Sequence, residues 1–383
     1  MMRPAWDTVR LGEHCIKIGS GATPRGGESV YLEEGVALIR SQNVYNGHFT
    51  VEGLAHIGDE HAEQLQGVKV ESADILLNIT GDSVARSCLV PDQILPARVN
   101  QHVAIIRPNP DEFDFRFVGY YLISPFMQKT MLSLAGSGGT RKALTKEMIE
   151  HFDVPRPPRT VQDRIADILS AYDDLIENNW RRMALLEEAA RQLYREWFVR
   201  LRFPGHEHTR ITNGVPKGWQ RALLGDRVTL NYGKALKNET RVGGPYPVYG
   251  SSGVIGSHEK ALTQGPGIIV GRKGNIGSVY WCAKDYWPID TVYFVEAATS
   301  NLWLYYALQH MHFISTDVAV PGLNRDFAYS RPLLVPAERI IRGFLDAATP
   351  LYEQRDKLSE MNGKLRAGRD LLLPRLMSGE IAA

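Results

Sequence analysis

Across residues 161–202 the chain alternates apolar and charged positions with a helical period. Ile165, Leu169, Tyr172, Ile176, Asn179, Met183, Leu186, Ala190, Leu193 and Trp197 follow one another at steps of four and three. That is the spacing of one apolar seam on a helix that supercoils against a partner. Arg, Glu and Asp fill most intervening positions, and no Pro or Gly interrupts the run. At 1.5 Å per residue it predicts a single rod of roughly 60 Å. The end of the chain repeats the pattern. Phe344, Leu351, Leu358, Leu365 and Leu372 recur every seven residues, with Ile341, Ala348, Arg355, Asn362 and Arg369 on the neighbouring seam positions. Sliding the first helix by 176 residues puts Ile165 on Ile341 and Leu169 on Leu345. Two long helices, each closing one half of the chain, predict a pair that packs on itself. Gly363 and Gly368 each cost up to ~1 kcal/mol against alanine, so the last third of the second helix is expected to be frayed or held only by a partner.

The repeat extends beyond the helices. Trp6, Leu11 and Gly12 reappear as Trp219, Leu224 and Gly225, an offset of 213. DILLNITGD (74–82) matches GIIVGRKGN (267–275) at offset 193, a short apolar strand entering a polar turn. RVNQHVAII (98–106) matches WPIDTVYFV (287–295) at offset 189. Each half then runs into a Val-Pro stop ahead of its long helix. The offset falls from 213 to 176, so the first copy carries 37 extra residues, 20 of them before Asp74. A duplicated frame with unequal insertions suits two copies doing one kind of job on different targets. The expected fold class is α+β, with a globular domain at 1–158, a helical spacer at 159–205, a second globular domain at 206–336 and a second spacer at 337–383. Residues 203–218, rich in Gly, Pro and Asn, read as a flexible crossover.

Composition narrows the function classes. At 383 residues with 44% hydrophobic and 23% charged positions, the chain suits two or three folded domains. A net charge of +1 means that any anion site must be a local patch. Cys15, Cys88 and Cys282 lie far apart and form no CxxC pair, which argues against a disulfide framework or zinc site. The first residues carry no apolar core of signal-peptide length, and no apolar run approaches the ~20 residues that span a bilayer. A cytoplasmic protein without membrane contact is expected. A Gly-x4-Gly-Lys-Ser/Thr phosphate loop, a helical zinc pair of histidines, a Gly-x-Ser-x-Gly elbow and an Asn/Asp-Pro-Pro-Tyr/Phe motif are all missing from the sequence. No metal site or catalytic centre is expected in this chain.

The turns carry more. GSGATPRGG (19–27), RSQNVYNG (40–47), NITGDSVARS (78–87), RVNQH (98–102) and GSGGTRK (136–142) lie in the first copy; YGSSGVIGSH (249–258), VGRKGNIGS (270–278) and GLNRD (322–326) lie in the second. They join glycine, which lets backbone approach closely, to side chains that contact phosphate or read base edges. The candidates are Arg40, Gln42, Asn43, Asn78, Thr80, Ser83, Arg86, Asn100, Gln101, His102, Thr140, Arg141 and Lys142 in the first copy. In the second they are Ser251, Ser252, His258, Arg272, Lys273, Asn275, Asn324 and Arg325. Any one such loop reads better as an ordinary solvated turn; their recurrence at matched places favours a shared role.

Over its whole length the chain resembles the DNA-specificity subunit of a type I restriction-modification system. The resemblance rests on YPVYGSSGVIGSH, GPGIIVGRKGNIGSVYW and YWPIDTVYF in the second copy, DILLNITGDSVAR and the VP-x-P-P stop in the first, and the closing LLLPRLMSGEI. It implies two target-recognition domains, each reading one half of a bipartite double-stranded DNA target, and spacer helices forming an antiparallel coiled coil that sets the gap between halves. It also implies two methyltransferase subunits that bind S-adenosylmethionine and methylate adenine, and restriction-translocase subunits that use ATP and Mg. This chain would hold no cofactor and catalyse nothing itself. The near-neutral charge then implies weak DNA binding without the methyltransferase partners. The helix-pair and subunit-interface positions would be Ile165, Leu169, Tyr172, Ile176, Leu186, Leu193, Trp197, Phe344, Leu351, Leu358, Leu365 and Leu372. The first domain shows no evident counterpart of residues 249–258. Two alternatives stay open: the specificity chain of a type IIB-like methylase-nuclease, and a coiled-coil protein-interaction scaffold without DNA readout.

Overall fold

The computed structural model describes residues 6–136, 142–314 and 322–383. They divide into two compact units, Met1–Asn178 with Asn362–Ala383, and Asn179–Met361. Each unit mixes strand and helix, and the duplication holds strand for strand. In the first unit a four-stranded antiparallel sheet runs in the order Cys15–Ser20, Val103–Pro108, Ile75–Asn78, Ser87–Leu89. In the second the order is Asn231–Tyr232, Val292–Val295, Gly267–Gly271, Val279–Cys282. The strands that match across the copies are the apolar runs of the sequence repeat. Ile75, Leu76 and Leu77, like Ile268, Ile269 and Val270, are wholly buried, as expected of short continuous apolar segments that face a core on both sides.

Beside each sheet lies a second one with a parallel pair. Val36–Ile39 runs parallel to Ala97–Val99 with Ile39 opposite Val99, and Tyr246–Gly250 runs parallel to Trp287–Pro288 with Tyr249 opposite Pro288. The segment from Tyr249 therefore does have a counterpart in the first unit, beginning at Ile39. The sequence hid it because the second copy turns back at once through the hairpin Gly250–Gly253, whereas the first inserts a further small hairpin before its return strand Ala55–Ile57.

Each globular part is closed by its own ends. Thr8–Arg10 pairs antiparallel with Asp153–Pro155, and Gln220–Leu223 with Pro332–Val335. This is what the repeated Trp-x4-Leu-Gly start and the Val-Pro stop encode. The glycine in that start is steric. A Cβ on Gly12 would lie 2.7 Å from Glu150 Cβ, and one on Gly225 2.8 Å from Tyr329 Cβ, so a short helix seats on each turn only if no side chain is there.

The first long helix covers Arg159–Tyr194 and finishes in a π turn, Arg195–Val199. The second covers Glu338–Met377 without a break. The fraying expected at Gly363 and Gly368 does not occur; Gly368 instead sits against the Tyr172 ring, where a Cβ would be 3.4 Å from Cε1. Both helices contribute to both units, and in each unit they run antiparallel. In the first, Arg369 bonds Asp173 and Asn362 Nδ2 donates to the Ile176 carbonyl at 3.2 Å. In the second, Arg355 Nη1 donates to Glu187 at 2.8 Å and Phe344 meets Trp197 edge-on at 6.2 Å. Ile165, Leu169 and Ile176 are buried, while Tyr172, Leu186, Leu193 and Trp197 are half-buried.

Along the expected seam of the second helix burial is uneven. Phe344, Ala348 and Leu358 are buried, but Leu351, Leu365 and Leu372 are only half-buried. Arg355 and Arg369 turn inward because Glu187 and Asp173 receive them, and each also bonds the aspartate that follows it, Asp356 or Asp370. Polar groups at seam positions fix the register of paired helices at some expense in stability.

Residues 203–218 are likewise more than a crossover. Phe203 is buried, its ring 5.1 Å from Trp219, and Ile211–Thr212 pairs with Val215–Pro216.

Candidate nucleic-acid interface

At one end of each central sheet a single backbone frame is built twice. Ile79 N donates to His102 O at 3.0 Å and Arg272 N to Thr291 O at 2.9 Å. Leu144 N donates to Ile79 O, and Leu323 N to Arg272 O, both at 2.8 Å. The turn is completed by Gly81 and Gly274, with φ +75 and +78, a left-handed conformation that glycine adopts without a steric penalty. On this frame Ile79 and Thr80 occupy the places of Arg272 and Lys273. The frame is constant and its side chains differ: Ile79 turns into the core, whereas Arg272 is half-buried and Lys273 exposed.

In the second unit the frame carries a cation–aromatic cluster. Tyr232, half exposed, lies between two guanidiniums, Arg272 at 5.1 Å and Arg325 at 5.0 Å from the ring centroid. Arg272 also lies 5.8 Å from the Tyr293 ring, and its Nη1 donates to the Asp290 carbonyl at 2.9 Å. A carbonyl and two rings hold the guanidinium plane without neutralising it. Burial pushes the Tyr293 hydroxyl up to about 12, although both arginines act the other way; the group stays neutral and donates to Leu323 O at 3.0 Å. Lys273, Asn275 and Ser252 are exposed on neighbouring turns. Asn324 caps the helix that carries Arg325, its Oδ1 accepting from Asp326 N and Phe327 N.

In the first unit the equivalent place holds a hydroxyl, a carboxamide and an imidazole. Thr80, Gln101 and His102 meet there, with Thr80 Oγ1 2.7 Å from His102 Nδ1. Lys142 is exposed, and its carbonyl accepts from Gly81 N at 3.2 Å. Ser83 is half-buried in the same turn. Arg86 stands 4.8 Å over the Tyr45 ring, and Arg40 stands 5.2 Å over Tyr31 while donating to Gly53 O at 2.7 Å. Gln42 donates to the same carbonyl at 3.0 Å. Thr140 and Arg141 lie outside the described residues.

Five of the expected contact residues are turned inward. Asn43 is buried and donates to Thr50 O and Glu52 O. Asn78 is buried and donates to Ser41 O and Val44 O. Asn100 is buried and accepts from His102 N. Ser251 is buried, its carbonyl accepting from Ser278 Oγ at 2.7 Å, and His258 is buried edge-on to Trp287 at 5.4 Å. These side chains shape the loops and cannot reach a ligand surface. Conversely, Thr23, Tyr31, Tyr45 and Tyr232 belong to these clusters without being among the side chains expected from the sequence, although Thr23 and Tyr45 lie within two of the loops singled out there. For Tyr232 a signal existed: it ends a strand that matches the one leading into the Gly-rich GSGATP turn.

Among the described residues no group of three or more His, Cys, Asp or Glu is placed to hold a metal ion, and no helix is long and apolar enough to cross a membrane.

Comparison with known proteins agrees with this duplicated arrangement. Residues 5–188 and 216–326 match the type I restriction modification DNA specificity domain. The chain is 25% identical over 301 residues to the type I restriction enzyme MjaIX specificity subunit of Methanocaldococcus jannaschii, covering 69% of each chain. It is 30% identical over 149 residues to the EcoBI specificity subunit of Escherichia coli, covering 38% of this chain and 31% of that one. Its fold is similar to the crystal structure of a type I restriction-modification system S subunit from M. genitalium, with a TM-score of 0.58 at 17% identity over 97% of this chain and 96% of that one. With more than half of its length matched in two tandem segments, the chain belongs to the type I restriction-modification DNA specificity family.

Proposed function

We propose that this chain is the sequence-specific DNA-binding specificity subunit of a type I restriction-modification complex, each globular part reading one half of a bipartite target. One observation supports it above others. The same hydrogen-bonded frame is built twice and presents Arg272 and Lys273 in one copy and Thr80 in the other, where Ile79 turns into the core. Two readers of different sequences need such a constant frame with variable tips. Arginine offers a planar fork to guanine O6 and N7, and an exposed lysine offers a point charge to phosphate. Methyltransferase subunits carrying S-adenosylmethionine are the partners that act on the selected site. Restriction subunits using ATP and Mg act on unmodified DNA. The chain contributes recognition and scaffolding without catalysis of its own.

Exchange of one globular part tests the reading. Residues 206–336 are replaced by the matching segment of another specificity chain, and the complex assembled with its methyltransferase selects from a random DNA pool. One half of the selected motif should change and the other persist. Selection without sequence preference would favour a protein-interaction scaffold, and a change in both halves would refute the division into independent readers.

A further inference from the structure

The first unit presents a chain of linked polar side chains where the second presents Arg272 and Arg325. The Thr23 hydroxyl donates to Gln101 Oε1, Gln101 Nε2 lies 3.1 Å from His102 Nε2, and His102 Nδ1 lies 2.7 Å from Thr80 Oγ1. An amide nitrogen can only donate. With its nitrogen facing the ring, Gln101 donates to His102 Nε2 and His102 Nδ1 donates to Thr80 Oγ1; with the amide turned the roles reverse and the carboxamide is still held at both ends. Three loops supply these groups: the one after Cys15–Ser20, the one after Ile75–Asn78, and the one between Ala97–Val99 and Val103–Pro108. His102 is half-buried and its backbone N–H is tied to Asn100 Oδ1 at 3.1 Å, whereas Thr23 and Gln101 are exposed.

The carboxamide of Gln101 is thus gripped at its oxygen and at its nitrogen while it faces solvent. Each end keeps capacity beyond the bond it makes, a second lone pair on Oε1 and a second N–H on Nε2. A fixed amide with one acceptor and one donor outward matches the major-groove edge of adenine, where N6 donates and N7 accepts. A freely rotating glutamine would match many partners poorly; a held one selects.

We propose that Gln101 is the base-reading side chain of the first unit, that adenine is its ligand, and that Thr23, His102 and Thr80 are positioning residues that hold its amide. The proposal rests on the DNA-reading function above and adds that the two half-sites are read by different chemistry, an amide in the first unit and a guanidinium in the second. A role confined to bracing the loops predicts instead that Gln101 can be replaced without altering base preference.

The experiment uses the complex of the full chain with its methyltransferase on its selected target. Each adenine of the first half-site is replaced in turn by 7-deazaadenine, which lacks the N7 acceptor. Wild-type binding should weaken about 5- to 150-fold at one position. A Gln101→Ala complex should bind the natural target that much more weakly and no longer distinguish the two bases there, with the second half-site read as before. Thr80→Val and His102→Phe should each erode the same discrimination while leaving the melting temperature near that of the parent. The proposal is overturned by a first half-site without adenine, or by a Gln101→Ala complex that still discriminates against 7-deazaadenine at the same position. A complex with no sequence preference at all would overturn the DNA-reading function, and this proposal with it.

Discussion

Arg272 offers the sharpest test of how the second unit reads DNA, because its fold contribution and its recognition contribution are read by different assays. Arg272→Ala removes the hydrogen bond to Asp290 O and the stacking over Tyr232 and Tyr293. A typical hydrogen bond contributes roughly 0.5–1.5 kcal/mol, and an exposed cation–π contact about 0.5–1 kcal/mol. With one bond and two ring contacts removed, the unit should lose about 1.5–3.5 kcal/mol, a loss visible in a melting curve but short of unfolding. Arg325 continues to cover Tyr232. Recognition should lose more selectively: a bidentate guanine contact discriminates by roughly 1–3 kcal/mol, or about 5- to 150-fold. Binding of the assembled methyltransferase to a panel of single-base variants, at two salt concentrations, separates the two effects. Arg272→Ala should flatten preference at one guanine of the second half-site and leave the first half-site unchanged. Arg272→Lys should do the same with an unaltered salt dependence, since the charge stays and the fork is lost. Tyr232→Ala keeps the Asp290 bond and should lose less. Wild-type base preference throughout the second half-site in the Arg272→Ala complex would refute the reasoning.

Other consequences are independent of that one. Lys273 is exposed beside Arg272, so Lys273→Ala should weaken binding on all sequences alike and reduce the slope of log affinity against log salt by about one; a change in preference would contradict it. Phe344 is wholly buried among Tyr194, Trp197, Phe198 and Tyr306, and Phe344→Ala should cost about 3–5 kcal/mol in denaturant unfolding. Leu358→Asp places a carboxylate at a buried position and should cost several kcal/mol, whereas Leu365→Asp at a half-buried position should cost less. The Asp114 carboxylate is raised by burial, but the Arg116 guanidinium and the Phe117 and Arg116 N–H groups outweigh this and hold it below the usual aspartate range. A depressed folded-state pKa stabilises above the unfolded-state value, and that contribution is lost as pH falls through the folded value. Urea midpoints taken from about pH 5 down to about pH 2 should fall less in Asp114→Asn than in the parent.

What could be read in the sequence was whatever depends on period or on repetition. The seam from Ile165 to Trp197 and the matched turns at Gly81 and Gly274 both emerged, because a helix face and a left-handed glycine leave local marks. Burial of Asn43, Asn78 and Asn100 left none: an asparagine that satisfies loop carbonyls from within looks the same in sequence as one that faces a ligand. Tyr232 gained its place through tertiary approach, since Arg272 and Arg325 reach it from separate elements. The polar positions in the second helix's seam have a similar origin. Heptad counting puts Arg355 and Arg369 on the seam, but the partners that receive them there, Glu187 and Asp173, come from the other helix and leave no mark beside them in the sequence.

The central claim is that two copies of one frame read two different half-sites for an adenine methyltransferase. Mapping of adenine methylation across a genome, in cells that carry this chain with its methyltransferase and in cells that lack it, tests this most directly. The account predicts methylation confined to one bipartite motif, two short defined halves around a gap of fixed length. It also predicts that Gln101→Ala relaxes only one half and Arg272→Ala only the other. Methylation at a single uninterrupted motif, or a pattern that does not depend on this chain, would contradict it.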